Sequence, residues 1–463
     1  EEEFTPYSFE GVEENANPLE YFNEVSDDAY NKSHGEHSRK YYRKLNRFFS
    51  FKELFDRVGY GLTAHQFIAI LFFLTGAGPF IVGLVYGLRN ALSSILASLS
   101  RSYAKVHQLK PKNIATAGIL FGLSFLGVLF GVRFQSPLVF ALSLLLGSVG
   151  VVTYGELYDR LVRENIKHEK KNHFLKNVTH YGLLITAIAF GLSGWLFEYI
   201  GMHGPTLTWS WISVPLTGYF IALQGGTIMF ILSSYFIRLV PLKNVSHPVP
   251  RWSVFLSSYV QQLKSQFSLF FKNKYLFLLY IGAIVISVVE VLGATYFGYI
   301  IFKEFQHVFL GGFLNVALIF GVAILASFLG PLFTKFLHKH TGLAPMFVFG
   351  TLLMAITPLT LLVNSYFFAV AAAVSCGVIG SSILGVAQGM LARKLLAPSY
   401  RKAFFQSIEV LLAGPFLLLV PAIALITQIF GFATLLTIII ILLVGIVLPL
   451  YFGLVVISNR KQL

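Results

Sequence analysis

The chain has 463 residues, 56% of them hydrophobic and only 12% charged, with a mean hydropathy of +0.71. Soluble domains carry roughly 25% charged residues, so a water-soluble globule is excluded and a polytopic membrane protein is expected. The formal net charge of +14 then argues for basic loops on one membrane face rather than for nucleic acid, and the single cysteine, Cys376, excludes a disulfide framework or a cysteine-based zinc cluster.

The chain opens with a polar stretch that does not resemble a signal peptide. Residues 1–30 hold ten of the 21 acidic residues and read as an acidic cytoplasmic tail, a candidate contact for a cytoplasmic protein partner. Residues 32–57 reverse the sign and interleave Lys and Arg with aromatics (RKYYRKLNRFFSFKELFDR), a pattern expected to lie on an anionic leaflet. A span needs about 20 apolar residues. That ruler predicts twelve: 58–75, 79–103, 113–132, 136–156, 176–200, 209–239, 276–302, 309–333, 342–363, 366–392, 403–427 and 431–457. With both termini cytoplasmic, 32 of the 35 Lys and Arg fall on the inner side, leaving Arg133 and Lys303 outside and Arg89 within a span. This is the bias of a multi-pass protein of the cell membrane.

Between spans six and seven the composition turns polar. Trp252, Phe255, Leu256, Tyr259, Leu263, Phe267 and Phe270 repeat at helical spacing and predict an amphipathic interfacial helix. The domains are therefore a tail (1–57), a six-helix bundle (58–240), a linker (241–275), a second six-helix bundle (276–457) and a short C-terminal tail (458–463). A short basic turn recurs after the second span of each half, SRSYAKVHQLKPK and GPLFTKFLHKHTG. Ser100 with Lys105, and Gly330 with Lys335, keep the same offset, as duplicated transporter halves do.

Twelve all-α spans in two pseudo-repeated sixes, a long middle linker and a basic turn in each half resemble the major facilitator superfamily over residues 58–457. The family's turn is approximately G-x-x-x-D-R-x-G-R-K. Ser100, Ala104 and Lys105 occupy the Gly, Asp and Arg positions of the first copy, and Gly330, Thr334 and Lys335 those of the second. Both acidic positions are vacant. The drug-antiporter signature is absent from span five, and Gly414–Pro415 lies in span eleven instead. The resemblance implies that spans 1, 4, 7 and 10 line a central cavity and that Lys105 and Lys335 belong to gating turns.

Ionisable groups inside spans default to function. Glu290 lies mid-way along span seven on one face with Ala283, Ser287, Ala294 and Gly298, read as a cavity wall with a proton-binding carboxyl; the bland alternative is a protonated structural acid. Arg89 interrupts span two. An ionised arginine at mid-depth costs about 2.5–3.5 kcal/mol and cannot shed its proton. It requires water, an anionic ligand or a carboxylate, for which Glu290 and Glu409 are candidates. Substrate anchor and ion pair between halves remain equal readings, and a later start to span one favours snorkelling. His65 and Gln66 in span one are substrate or ion-binding candidates, His65 also as a proton carrier, against the bland reading of a hydrogen-bonded packing residue. Gln388 shares a small polar face of span ten with Ser375, Ser382 and Gly385. Glu409 and Asn315 are inter-bundle candidates, Asn315 reading first as an interhelical hydrogen-bonding residue.

No nucleotide, metal or hydrolase motif is present, so no cofactor is expected and an enzyme is disfavoured. The expected function is secondary active transport of a small solute, an anionic one if Arg89 anchors it, by alternating access and coupled to protons or another ion. The alternatives are a non-transporting sensor or scaffold on the same fold, and lipid translocation.

Overall fold

The computed structural model describes residues 39–106, 109–165, 168–201, 206–209, 212–240, 252–363 and 366–460. Helices run in this order. Span one is Arg39–Leu62 followed by His65–Leu74; spans two to four are Pro79–Val106, Pro111–Arg133 and Pro137–Asn165. Span five is His168–Trp195 with a wider turn over Leu196–Ile200, and span six is Gly218–Arg238. The linker helix is Trp252–Lys272, and span seven is Lys274–Phe305. Span eight is Gly312–Ala326 with Leu329–Thr341; spans nine to eleven are Leu343–Val363, Phe367–Leu395 and Pro398–Phe430. Span twelve passes from Phe432–Ile440 through a wider Ile441–Val447 segment to Leu448–Arg460.

Eleven of these helices are long and apolar enough to cross a membrane, and the two pieces of span eight, bent by 42°, make the twelfth. The bend has a local cause. Pro331 has no amide proton, so the carbonyl of Ser327 loses its helical donor and takes the tighter Gly330 N–H at 3.1 Å instead. Elsewhere Pro79, Pro111, Pro137 and Pro398 open helices, at the one position where a missing N–H costs nothing. Asn273 caps span seven, its side-chain oxygen accepting from Tyr275 N at 3.0 Å and Leu276 N at 3.2 Å. The outer surface keeps large apolar side chains exposed, among them Ile188, Phe349, Leu418 and Ile429, as a hydrocarbon solvent permits.

Three expectations are corrected. The basic aromatic segment does not lie flat outside the bundle. Helix Arg39–Leu62 runs unbroken through residue 57 and packs along spans five and six, with Leu45, Phe49, Lys52 and Asp56 buried, so the first bundle begins before residue 58. A pure helix map also misses one element, a hairpin pairing Thr206–Trp209 with Ile212–Pro215 before span six. The linker helix, finally, docks on protein as well as presenting an interfacial face. Phe255, Tyr259 and Phe270 are buried, and it touches span two of the first half and spans seven and eleven of the second. Its Tyr259 hydroxyl donates to Ser98 Oγ at 3.0 Å, and burial pushes that phenol's pKa up, keeping it a donor. The acidic tail and its candidate partner lie outside the described residues. Below, the membrane face carrying the linker helix is the linker side and the opposite face the far side.

Candidate functional site

Span one is broken where its polar residues sit. Thr63 turns its hydroxyl back to the Gly59 carbonyl at 2.9 Å, Ala64 is extended at ψ 139°, and a new helix starts at His65. Ala64 offers no capping side chain, so the first amides of this half-helix lack the usual side-chain acceptor. The break aims His65 at span two. Arg89 Nη1 lies 3.0 Å from His65 Nδ1. A guanidinium only donates, so Nδ1 is the acceptor and the imidazole proton sits on Nε2. The His65 ring stands edge-on to Tyr86 at 4.8 Å and 88°, and the guanidinium carbon is 5.6 Å from the Tyr86 ring centre. Tyr86 is fully buried and its hydroxyl has no hydrogen-bond partner among the described residues. Arg89 is half-buried, and among the described residues no carboxylate lies within ion-pair distance of it. The expected pairing with Glu290 or Glu409 is therefore corrected: Arg89 meets His65, and while that bond holds, Nδ1 has no lone pair free for a coupling proton.

Glu290 sits on span seven with its side chain exposed and accepts a hydrogen bond from Ser381 Oγ of span ten. Ser287, one turn away, is half-buried and Ala294 is exposed. These three share an open face, whereas Ala283 and Gly298, read on the same stripe, are buried. Gly298 instead lets span one approach. A Cβ there would meet Gln66 Cβ at 3.3 Å, which places Gln66 at a backbone crossing between the halves.

Other candidates fall elsewhere. Gln388 is buried and donates to Tyr451 Oη of span twelve at 2.7 Å, so it joins helices within the second half and does not line the open face. Asn315 is fully buried and donates to the Phe305 and Val308 carbonyls at 3.0 and 2.6 Å; it ties the turn between spans seven and eight and makes no bond to the described residues of the first half. Glu409 pairs with Arg101, whose Nε is also 3.2 Å from Glu156 Oε2 of span four. That triad does cross between halves. Lys335 is exposed and makes no ion pair among the described residues, and Lys105 lies in the last turn of span two with its side chain outside the described residues.

The halves also meet on the far side. Phe73 of span one stacks on Tyr299 of span seven with ring centres 3.9 Å apart, and Phe432 packs against both rings. Tyr296 donates to the Pro79 carbonyl at 2.8 Å, and Gln428 of span eleven accepts from Phe80 N at 3.0 Å. Glu198 of span five accepts from Phe313 N at 2.8 Å, a carboxylate on the positive end of span eight. Arg89 and Glu290 both lie on the linker side of this closure. Each is six residues from the Gly83–Tyr296 approach, or about 9 Å of helix rise.

Sequence reasoning missed a buried polar network in the first half. Lys52 Nζ is 2.9 Å from Asp56 Oδ2 and 3.1 Å from Glu53 Oε1, and 3.1 Å above the Tyr158 ring centre. Tyr154 donates to Asp56 at 3.0 Å and shares a 2.6 Å bond with Ser233. A signal existed: Lys52 with Asp56, and Glu53 with Arg57, have i,i+4 spacing. Reading the charges as a tail hid it.

These features define a multi-pass integral membrane protein of two six-span halves with charged groups at mid-span. No protein-family model and no curated protein sequence matches the chain. Solved structures do. The nucleoside transporter NupG superposes with a TM-score of 0.64 at 15% identity, covering 89% of this chain and 98% of its own. A bacterial homologue of the iron transporter ferroportin, in an inward-facing state, scores 0.60 at 14% identity, covering 88% and 99%. A bacterial homologue of the human drug peptide transporters scores 0.60 at 12% identity, covering 91% and 99%. The chain has the fold of the major facilitator superfamily.

Proposed function

We propose that this chain is a secondary transporter that moves a small solute by rocking one six-span half against the other, with Glu290 as its proton-binding group. The observation that supports this most directly is Glu290 itself, a mid-span carboxyl left exposed beside span ten, on the linker side of a closure built from both halves. A carboxyl in that position is open to a proton from whichever side the cavity faces, and an ionisable group inside a span is a functional candidate by default. Solved transporters of the same fold add a prior to the reading. The Lys and Arg bias assigns the linker side, and with it both termini, to the cytoplasm.

Counterflow and uptake in proteoliposomes, across a panel of small solutes, test it. At least one solute is expected to exchange faster than in protein-free vesicles, and a pH gradient is expected to drive its accumulation. In Glu290→Gln exchange persists and the gradient no longer drives accumulation. Uptake that ignores the gradient in both proteins rejects the proton role, and no exchange of any solute rejects transport.

A further inference from the structure

We infer that His65, Arg89 and Tyr86 form the receptor for a single carboxylate on the transported solute, an inference that rests on the transport reading above. Four observations converge. Arg89 is a permanent cation inside a span with no carboxylate within ion-pair distance among the described residues, and such a charge needs a counter-charge there. Its bond to His65 Nδ1 fixes the imidazole as an Nε2–H donor, so the second ring nitrogen also offers a proton. The Tyr86 hydroxyl is buried in the same cluster without a partner, which costs free energy unless something occupies it. The half-helix beginning at His65 has no capping side chain, and broken-helix N-termini favour anions.

Every free polar group in this cluster donates, and none accepts except through Tyr86's oxygen. That is the complement of a carboxylate, which only accepts and which a guanidinium grips with two parallel N–H groups. The charge count selects the class. One cation balances one negative charge; inorganic phosphate, at up to two, needs a second Lys or Arg that the cluster does not have. The break in span one gives the geometry a purpose. It frees backbone amides and turns the imidazole towards span two in one step.

The test uses the full chain in lipid nanodiscs. Saturable ligand-induced shifts of the thermal midpoint are measured at fixed ionic strength for monocarboxylates from acetate to octanoate and for benzoate, each beside its uncharged amide, and for inorganic phosphate. At least one carboxylate is expected to bind saturably while its amide does not. Arg89→Lys, which keeps the charge but loses the fork, is expected to weaken that binding at least tenfold, and Tyr86→Phe about threefold. Lys264→Ala, at an exposed position of the linker helix, leaves it unchanged. If Arg89→Lys does not fold, protection of Arg89 from phenylglyoxal by the same carboxylate, read by mass spectrometry on the wild-type protein, replaces it. No saturable carboxylate, equal binding of acid and amide, phosphate binding alone, or affinity indifferent to Arg89→Lys each overturns the assignment. Saturable binding without exchange in proteoliposomes upholds the receptor and fails the transport reading. Exchange of a solute unaffected by Arg89→Lys does the reverse.

Discussion

Lys52 shows how far one side chain's meaning depends on what surrounds it. Along the chain it belongs to a basic aromatic stretch. In the fold it is 4% exposed, held by Asp56 and Glu53 over the Tyr158 ring. Removing one member of a buried ion pair strands the other charge, a loss of about 3–5 kcal/mol. Lys52→Met is therefore expected to lower stability by that amount, and Lys52→Met with Asp56→Asn to recover much of it, in thermal unfolding of the purified protein. Arg89 was legible as a charge that needs an explanation, but its partner was not. His65 is 24 residues away, and only the break at Ala64 orients it. Glu290 was readable as a mid-span acid; Ser381, 91 residues on, was not.

At the scale of elements, an interrupted helix can be completed by a partner from a neighbouring helix. Pro415 lies inside span eleven and leaves the Leu411 carbonyl without its helical donor. Tyr280 of span seven supplies one, its hydroxyl 2.8 Å from that oxygen. Tyr280→Phe is expected to destabilise by about 1–3 kcal/mol by stranding the carbonyl. In a Pro415→Ala background, where the helical N–H returns, the same change is expected to cost little. A double-mutant cycle by thermal unfolding reads the coupling, and additive effects would reject this pairing. Spans two and eleven pack closely for a similar reason of fit. A Cβ on Gly87 would come within 2.6 Å of the Phe416 carbonyl oxygen, a contact that only a residue without a side chain allows. The linker helix was legible as amphipathic from its spacing. Periodicity shows that a face is apolar and leaves open whether lipid or protein covers it, so its dock beside Ser98 was not.

The whole molecule is two halves that pack along spans two and eleven, five and eight, and one and seven, with distinct contacts at the two membrane faces. Far-side contacts are mainly aromatic, whereas on the linker side Arg101 reaches Glu156 and Glu409. The first signature turn has no acid at Ala104, and among the described residues the ion pairing between halves is carried by Arg101, one turn earlier. If transport requires the far ends to part, tethering them stops it. In a Cys376→Ala background, Phe73→Cys with Tyr299→Cys, bridged by a short reducible bifunctional thiol reagent, is expected to arrest solute exchange until reductant is added. Exchange that continues after complete cross-linking would show that the halves do not separate there.

Hydrophobic runs of span length and the one-sided distribution of Lys and Arg by themselves determined the membrane class, the twelve spans and the division into two sixes, because a bilayer imposes length and polarity on each segment independently. The tertiary structure alone decided where the first span starts, that Arg89 faces an imidazole rather than a carboxylate, and which polar residues join helices within one half. Those outcomes depend on contacts between residues tens to hundreds of positions apart, and a pattern along one helix carries no record of what the neighbouring helix presents to it.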